Sequence, residues 1–431
     1  MPSLNNQTTK ESVGEKKQIK RAVKTPDEFT KMTNPVQSDF HTARTTNRPA
    51  KSPNTKTQSN VKKYIARSFI ALGVALVLVI YVVFSLVSAI ATGPSPTLRD
   101  QLVLMAMQAS ATKWVPGLFL PDEAVQKIVD DSHKVSTEVI NMDEYFTQFQ
   151  NNGQFSNIPG QSSVTMKDPW EDAVDGMLLE TINRKTFKAY VLLIKDPSRV
   201  FVGTSSDYKS GKKGMDIFGI AAKYNAVAAI NGGEFSDPGG VGDGSAPIGI
   251  TFSQGKLMWN DGYTNRTFIG IDNNNKLVVS EGMTKSRAEE LGIRDGVCFQ
   301  NGNILITNEN GQISLHRADN DTGTAQRTAI GQRADGTIIM IVTDGRTTSS
   351  IGATHNDMVD LMSSYGAVTA SKLDGGSSSM MYYNNYFEKY DYDYNKLDAY
   401  QKRGLVNKYK AFTSPRLIPT FFIVGGESSE S

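Results

Sequence analysis

The stretch FIALGVALVLVIYVVFSLVSAIA, residues 69–91, lies in an interval between Arg67 and Arg99 that contains no charged residue. A helix of 23 residues with a rise of about 1.5 Å per residue is about 35 Å long, enough to cross a hydrocarbon core of roughly 30 Å. The run is apolar on every face, which is not typical of a helix half-buried in a globular domain. The sequence therefore predicts a transmembrane helix over residues 68–91, with residues 69–91 in the bilayer.

The segment before this helix is basic. Residues 1–67 contain 14 Lys or Arg and five Asp or Glu, and basic residues beside a span tend to stay in the cytoplasm. We therefore expect a disordered cytoplasmic tail, a single pass through the cell membrane and a large extracytoplasmic part. A cleaved signal peptide is the alternative, favoured by the small residues Ser88–Ala91, but the apolar run starts late and is long for one.

Composition limits what the extracytoplasmic part does. Without the tail the chain has 32 basic and 39 acidic residues, which argues against a nucleic-acid partner. Cys298 is the single cysteine, so an intrachain disulfide and a Cys-based metal site are excluded. We expect Cys298 to be a small buried apolar residue, and a part of this size can depend on its hydrophobic core for stability.

The pattern along the chain changes near Thr165. Residues 92–165 are predicted to be a juxtamembrane stalk with short helices, because helical patterns over 97–113 and 122–133 give way to a stretch rich in Asn, Gln and Ser. Strands then outnumber helices, which favours an α+β domain with a mixed sheet over residues 166–426. The predicted strands cover 189–194, 226–230, 248–252, 267–271, 276–280, 329–333, 337–343, 367–373 and 417–424.

Local signals place turns and helix ends in this domain. Ala334-Asp-Gly336 is typical of a hairpin turn between two strands. Thr354 is a predicted N-cap for a helix that ends near Tyr365, and Gly366 is placed where a left-handed C-cap is expected. A second predicted helix covers residues 214–224.

Two glycine-containing motifs follow predicted buried strands. The first is NGGEF, residues 231–235, and the second is LDGGSSSM, residues 373–380. Paired glycines can adopt a positive φ and approach a ligand closely, and N–H and hydroxyl donors can hold phosphate or sugar oxygens. An ordinary turn is the alternative for each. The candidate side chains and backbone groups are Asn231, Gly232, Gly233, Glu234, Asp374, Gly375, Gly376, Ser377 and Ser378.

Two arginine-containing motifs lie between them. RTAIG, residues 327–331, includes Arg327 and Thr328, and TDGR, residues 343–346, includes Asp344 and Arg346. The planar guanidinium matches two phosphate oxygens, although a surface arginine is more often only solvated. The loop 237–244, with Asp237 at its start, is a candidate lid or cation site, and a plain surface loop is the alternative.

In their order and spacing, the four motifs resemble those of the phosphodiester glycosidase family over roughly residues 185–425. The resemblance implies hydrolysis of the bond between a phosphodiester and the anomeric carbon of a sugar. This chain departs from the family pattern at Glu234, Gln326 and Ser377, so no role for Glu234 transfers from the family.

The resemblance and the chemistry together give a set of expected roles. Asp344, Asp374 and Glu234 are the unranked candidates for nucleophile, base or acid, and Arg327 and Arg346 are expected to bind phosphate. The remaining expected substrate contacts are Asn231, Gly232, Gly233, Thr328, Gly375, Gly376, Ser377 and Ser378.

Several questions stay open at the level of sequence. No cofactor is expected, a divalent cation has no support, and the metal ligands, if any, are unknown. The expected partner is a glycosyl phosphodiester or an anionic envelope glycan, with the membrane contacted through residues 69–91. A non-catalytic glycan-binding module and a scaffold for exopolysaccharide assembly are the alternatives to an enzyme.

Overall fold

The computed structural model describes most of the chain beyond residue 54. The described ranges are 55–107, 112–151, 170, 173–208, 211–238, 242–321, 323–345, 347, 350–389, 392–409 and 414–426. Most of the predicted basic tail and the polar end of the predicted stalk lie outside these residues. Arg346, a predicted phosphate ligand, also lies outside them.

A single long helix contains the apolar run. Helix α1 extends over Thr55–Thr92, and its part Lys63–Thr92 is 30 residues long with a mean hydropathy of 3.0 in its most apolar window. Side chains of this window are exposed. Among the described helices, α1 is the one that is long and apolar enough to cross a membrane, as the sequence predicts.

The remaining described residues form an α+β structure, which confirms the predicted class. The other helices are α2 (Pro96–Met107), α3 (Asp122–Ser132), α4 (Met142–Asn151), α5 (Ile217–Tyr224), α6 (Lys285–Glu290), α7 (His355–Ser364) and α8 (Tyr386–Lys389). The strands are β1 (Val135–Asn141), β2 (Met177–Asn183), β3 (Lys188–Ile194), β4 (Val200–Thr204), β5 (Ala228–Asn231), β6 (Ile250–Ser253), β7 (Lys256–Asn260), β8 (Thr267–Asp272), β9 (Leu277–Glu281), β10 (Ile293–Phe299), β11 (Ile304–Glu309), β12 (Gln312–Ala318), β13 (Thr328–Arg333), β14 (Ile338–Thr343), β15 (Ala367–Lys372), β16 (Met381–Tyr383) and β17 (Thr420–Val424).

The strands form three sheets in which neighbours are antiparallel. Their orders are β1-β12-β11-β15-β13-β14-β3-β2, β7-β6-β10-β8-β9 and β16-β5-β17-β4. One core lies between a face of the eight-stranded sheet and the two smaller sheets, with Leu192, Ile269 and Phe422 contributed by one sheet each. A second core covers the other face of the large sheet, where Met358 and Met362 of α7 pack on it. Both faces of the large sheet are therefore buried, which explains its continuous apolar strands.

Every strand predicted from alternation or from a buried apolar run exists, with its ends moved by a few residues. The predicted hairpin joins β13 and β14, and Gly336 in its turn has φ +92°. The predicted helix start is a capping box, in which the Thr354 side chain and the Asp357 side chain each accept from the other residue's N–H. Gly366 has φ +75° after α7, as a left-handed cap requires.

The predicted stalk contributes a strand and a helix to the folded domain. Strand β1 pairs with β12 over seven residues and forms the edge of the large sheet. Six of its side chains are exposed and only Ile140 is buried. Because nearly all its side chains are exposed, the sequence of β1 lacks the apolar–polar alternation of a half-buried strand and resembles a polar loop.

Tyr145 on α4 anchors this segment to the domain. Its hydroxyl donates to the carbonyl oxygens of Ala367 at 2.8 Å and of Ser363 at 3.3 Å. We expect Tyr145→Phe to lower the free energy of unfolding by about 1 kcal/mol, because both buried carbonyls lose a donor. Chemical denaturation of the full chain in detergent measures this change. Tyr394→Phe, at an exposed ring, is the control, and an equal effect of the two variants would contradict the anchoring role.

Candidate active site

Three of the four motifs meet at the buried side chain of Asn231. Its Nδ2 donates to the carbonyl oxygen of Asp374 at 2.6 Å, and its Oδ1 accepts from the Thr328 hydroxyl at 2.7 Å and from the Met380 N–H at 3.1 Å. Asn231 ends β5 of the four-stranded sheet, whereas Thr328 begins β13 of the eight-stranded sheet. One amide side chain therefore joins the end of a strand in one sheet to the start of a strand in another, beside the loops that carry the motifs.

The glycines of the first motif allow close packing. A Cβ on Gly233 would lie 2.4 Å from the Cys298 carbonyl oxygen, and one on Gly232 would lie 2.8 Å from the Thr420 backbone. Neither residue has a positive φ, so the predicted backbone conformation of this pair is wrong, whereas its close approach to a ligand stays a prediction. In the second motif Gly376 does adopt the left-handed region, with φ +60°, and begins a short 3-10 turn that ends at Ser378.

Asp374 is the carboxyl group at the centre of this arrangement. Its Oδ1 accepts from the Gly375 N–H at 2.9 Å. Burial is the largest cause that raises the pKa of Asp374, to about 6, and the charge of Glu234 acts in the same direction. The Ser378 hydroxyl and the charge of Arg416 act against this rise. A carboxyl group in this range exchanges a proton near neutral pH, as a general acid or base requires.

Glu234 is the second carboxylate and has its own arginine. Its Oε2 accepts from Arg266 Nε at 2.7 Å, and both side chains are largely buried. Its backbone N–H donates to the Cys298 carbonyl oxygen at 2.8 Å, which fixes the loop onto the five-stranded sheet. Glu234 influences the pKa of Asp374 by its charge, so the two carboxyl groups interact across the site.

Arg416 brings a second guanidinium group to the site. It forms an ion pair with Asp237, donates to Ser377 Oγ at 3.4 Å and lies 4.8 Å from the ring centroid of Phe235. Its backbone N–H donates to the Tyr409 hydroxyl at 3.1 Å. Arg416 therefore connects the two glycine-containing loops, and its cation is part of the electrostatic environment of Asp374.

The side chains of Arg327 and Asp344 form hydrogen bonds within the protein that hold neighbouring backbone segments in place. The Arg327 N–H donates to Thr343 Oγ1 at 2.9 Å, and its guanidinium donates to the carbonyl oxygens of Ala353 and Gly323. Asp344 is buried, and its carboxylate accepts from the Tyr190 hydroxyl and from the Lys408 N–H, both at 3.1 Å.

These contacts bear on the predicted roles of Arg327 and Asp344. Both backbones lie beside the loop of Asp374. Gln326, next to Arg327, accepts from the Gly376 N–H at 2.9 Å, and its Nε2 donates to the carbonyl oxygen of Gly345, next to Asp344, at 2.6 Å. Burial raises the pKa of Asp344. Arg327 as a phosphate ligand and Asp344 as a catalytic group stay predictions.

The sequence motifs do not identify Arg266 and Arg416. Both lie outside the four motifs, in the segments before β8 and before β17. Their positions beside Glu234 and Asp374 depend on how the sheets pack. No local spacing in the sequence therefore predicts that these two arginines belong to the site. In the described part of the chain no group of three or more His, Cys, Asp or Glu side chains could hold a metal ion, and the question of a cation requirement stays open.

Arg416 offers a test of this electrostatic arrangement. Arg416→Gln removes a charge that lowers the pKa of Asp374, so we expect that pKa to rise above 6 by about one unit. The motifs predict hydrolysis of a glycosyl phosphodiester, and in pH profiles of that predicted activity the limb assigned to Asp374 is expected to move to higher pH by the same amount. Arg287→Gln on α6, at an exposed ion pair, leaves the profile unchanged. A limb that stays in place in Arg416→Gln would contradict the assignment.

Comparisons with known proteins agree with the motifs. The family model for phosphodiester glycosidase matches residues 224–424. The SPbeta prophage-derived uncharacterized protein YomE of Bacillus subtilis (strain 168) is 26% identical over 255 residues, which cover 57% of this chain and 36% of YomE. The chain thus spans about a third of the length of this curated relative.

Among solved structures, the zebrafish N-acetylglucosamine-1-phosphodiester alpha-N-acetylglucosaminidase catalytic domain, auto-inhibited by its pro-peptide, matches with a TM-score of 0.43 and 18% identity, covering 58% of this chain and 82% of its own. A hypothetical protein from Synechocystis matches with a TM-score of 0.37 and 14% identity, covering 57% and 62% of the two chains. The family match contains all four motifs together with Arg266 and Arg416. Residues 224–424 of this chain therefore form a domain of the phosphodiester glycosidase family.

Proposed function

We propose that this protein hydrolyses sugar-1-phosphodiesters at the anomeric carbon. In the proposed reaction the C1–O bond to phosphate breaks, the oxygen of a water molecule forms the new bond to C1, and the products are a free sugar and a phosphomonoester. The observation that carries the proposal is the junction at Asn231, because it brings the loop of Glu234 and the loop of Asp374 to one place.

The two carboxyl groups have the complementary properties that such a reaction uses. Glycoside cleavage passes through an oxocarbenium-like state, usually between two carboxyl groups. Asp374, with a pKa of about 6, exchanges a proton with water or the leaving oxygen, and Glu234 supplies negative charge beside the sugar. Arg266 holds the Glu234 carboxylate by an ion pair and so orients it.

The phosphate group is the second requirement of the site. A phosphodiester leaving group carries negative charge before and after cleavage, so guanidinium and N–H donors stabilise it. Arg416 already contacts Ser377 at the loop of Asp374, and we assign it to phosphate together with the Ser377 hydroxyl, because the N–H groups of Gly375 and Gly376 donate to Asp374 and Gln326. We assign Asp344 to support of the segment at Lys408, because Tyr190 and the Lys408 N–H occupy its carboxylate; the neighbouring Asn407 Nδ2 donates to the Ser379 carbonyl oxygen at 3.1 Å.

We further propose that α1 anchors the enzyme and that the domain works outside the cytoplasm. The basic residues before α1 favour a cytoplasmic tail, and the length and hydropathy of Lys63–Thr92 suit a single span. An anchored domain acts near the membrane, so cell-envelope glycans and lipid-linked phosphosugars, as in exopolysaccharide assembly, are the proposed substrate classes.

The test is incubation of the full chain in nanodiscs with a panel of sugar-1-phosphodiesters, with and without a chelator. We expect free sugar and phosphomonoester by mass spectrometry, in equal amounts and only with the intact Asp374 side chain. Loss of product in the chelator arm alone would show a cation requirement. Saturable binding of the panel without product after long incubation would overturn the enzymatic proposal in favour of a glycan-binding module.

A further inference from the structure

The segment after α1 packs back along that helix. The rings of Phe84 on α1 and of Phe119, which follows the turn Pro116–Leu118, have centroids 5.0 Å apart. Phe84 precedes the end of α1 at Thr92 by eight residues, which corresponds to about 12 Å along the helix axis. Phe119 therefore lies at the level of the last two turns of the apolar helix and not beyond its end.

Large apolar side chains near this contact are exposed. Trp114, Leu118 and Leu98 are 65%, 55% and 53% exposed. Met105 on α2 is also exposed. Tryptophan beside leucine is typical of the zone where a protein meets lipid headgroups, because an indole ring has an apolar body and a polar N–H.

The same segment has a well-packed inner side. Val103 and Leu104 of α2 and Val125 and Ile128 of α3 form a small buried cluster. Met107, Trp114, Leu118 and Val125 line a groove of about 450 Å³ between these elements, with Lys113, Asp122 and Gln126 also in its lining. The segment is thus a folded unit with a small apolar core, and Trp114 and Leu118 are exposed side chains that also line the groove beside that core.

We propose that residues 96–107 and 112–126 form a membrane-embedded collar, whose exposed apolar side chains lie in the interfacial layer of the bilayer leaflet at the C-terminal end of α1. The occupant of this exposed surface is lipid, because the surface is continuous with the exposed face of a helix suited to span the bilayer. This inference depends on the proposed anchoring by α1. Burial of Trp114 and Leu118 among lipid chains removes their apolar surface from water.

The collar also fixes the catalytic domain to the membrane surface. Helix α3, whose first residues belong to the collar, ends at Ser132 and β1 begins at Val135, so only two residues separate this helix from the edge strand of the large sheet. The Asp319 N–H donates to the Lys134 carbonyl oxygen at 3.0 Å, and Asn320 Nδ2 donates to Asp100 Oδ2 at 3.4 Å. The proposed collar therefore sets the height of the domain above the lipid, instead of leaving it on a flexible stalk.

Spin labels in the full chain test the collar directly. Burial raises the pKa of the native thiol of Cys298 to about 12, so a label is expected to react at an introduced cysteine instead. We would label Leu118→Cys, with Val82→Cys on α1 as the lipid reference and Lys256→Cys on β7 as the water reference, in phosphatidylcholine–phosphatidylglycerol nanodiscs. Power saturation compares collisions with oxygen, which enriches in lipid, and with a water-soluble nickel chelate.

We expect the oxygen-to-nickel ratio at position 118 to be several-fold above that at position 256 and below that at position 82, which lies near the middle of the apolar run. A ratio at 118 equal to that at 256, with a lipid-like ratio at 82, overturns the collar while anchoring by α1 stands. Low accessibility to both reagents at 118 indicates a protein partner or a second copy and also overturns it. Water-like ratios at both 82 and 118 overturn anchoring and collar together, and none of these readings depends on catalysis.

Discussion

Asp374→Asn is expected to lower kcat/KM for a sugar-1-phosphodiester by about 10³-fold, within the range that a general acid or base contributes. The amide keeps the shape of the side chain and can still accept from the Gly375 N–H, but it cannot exchange a proton. Initial rates of sugar release by the full chain in nanodiscs measure the loss. Asp335→Asn, at a half-exposed hairpin carboxylate, is the matched control and keeps the parental rate.

The stability of this variant separates lost chemistry from lost structure. Asp374 keeps its proton up to a pH of about 6, whereas the carboxyl of an unfolded chain titrates near 3.8. As pH rises through this window the unfolded state releases the proton first, so the native state loses stability, by about 1–3 kcal/mol once the pH is above 6. Asp374→Asn removes this penalty, so we expect it to be as stable as the parent at pH 4 and more stable at pH 8.

Denaturation at the two pH values, beside the rates, gives the decisive comparison. An inactive variant that is more stable at pH 8 agrees with a catalytic carboxyl group whose burial in the charged form destabilises the native state. A variant that releases sugar as fast as the parent contradicts the site assignment. Equal stabilities of variant and parent at pH 8 would contradict the raised pKa of Asp374, even if the activity is lost.

Asn231→Ala is expected to lower the free energy of unfolding by about 2–5 kcal/mol, because it leaves several buried polar groups without their partner. The Thr328 hydroxyl, the Met380 N–H and the Asp374 carbonyl oxygen each bond to this side chain. Activity falls as well, because the loop of Asp374 loses the bond that holds it to β5.

Denaturation and sugar-release rates of the same preparation measure both effects. Asn274→Ala, at an exposed turn side chain, serves as the control and is expected to change neither quantity. Asn231→Asp keeps the two acceptor contacts but brings a carboxylate oxygen against the Asp374 carbonyl oxygen in a buried place, so this variant is also expected to be less stable than the parent. An alanine variant with unchanged stability and rate would show that Asn231 does not join the two loops.

Much of the fold could be predicted because its strongest elements carry local signals. The run Ala189-Tyr-Val-Leu-Leu-Ile194 is apolar on both faces and lies inside the large sheet. The hairpin of β13 and β14 has its turn residues, and α7 has its capping box. Strand β1 has no such signal, because an edge strand with exposed side chains owes its conformation to hydrogen bonds with β12.

Part of the candidate site could likewise be predicted from local signals and part could not. The motifs identify Asn231 and Asp374, because glycines and polar residues directly after buried strands are local features. They do not show which way a side chain points. At the start of β13, Thr328 contacts Asn231 on one side, whereas the guanidinium of the preceding Arg327 reaches the carbonyls of Ala353 and Gly323, in keeping with the alternation along a strand.

The sequence by itself determined the long apolar helix, the α+β class and the order of the four motifs, because hydrophobic length, periodicity and turn residues act over a few neighbouring positions. Only the tertiary structure decided that Arg266 and Arg416 accompany Glu234 and Asp374, and that burial raises the pKa of Asp374. Those properties arise where separate sheets exclude water and bring together charges that are distant along the chain. Such contacts have no fixed spacing in sequence.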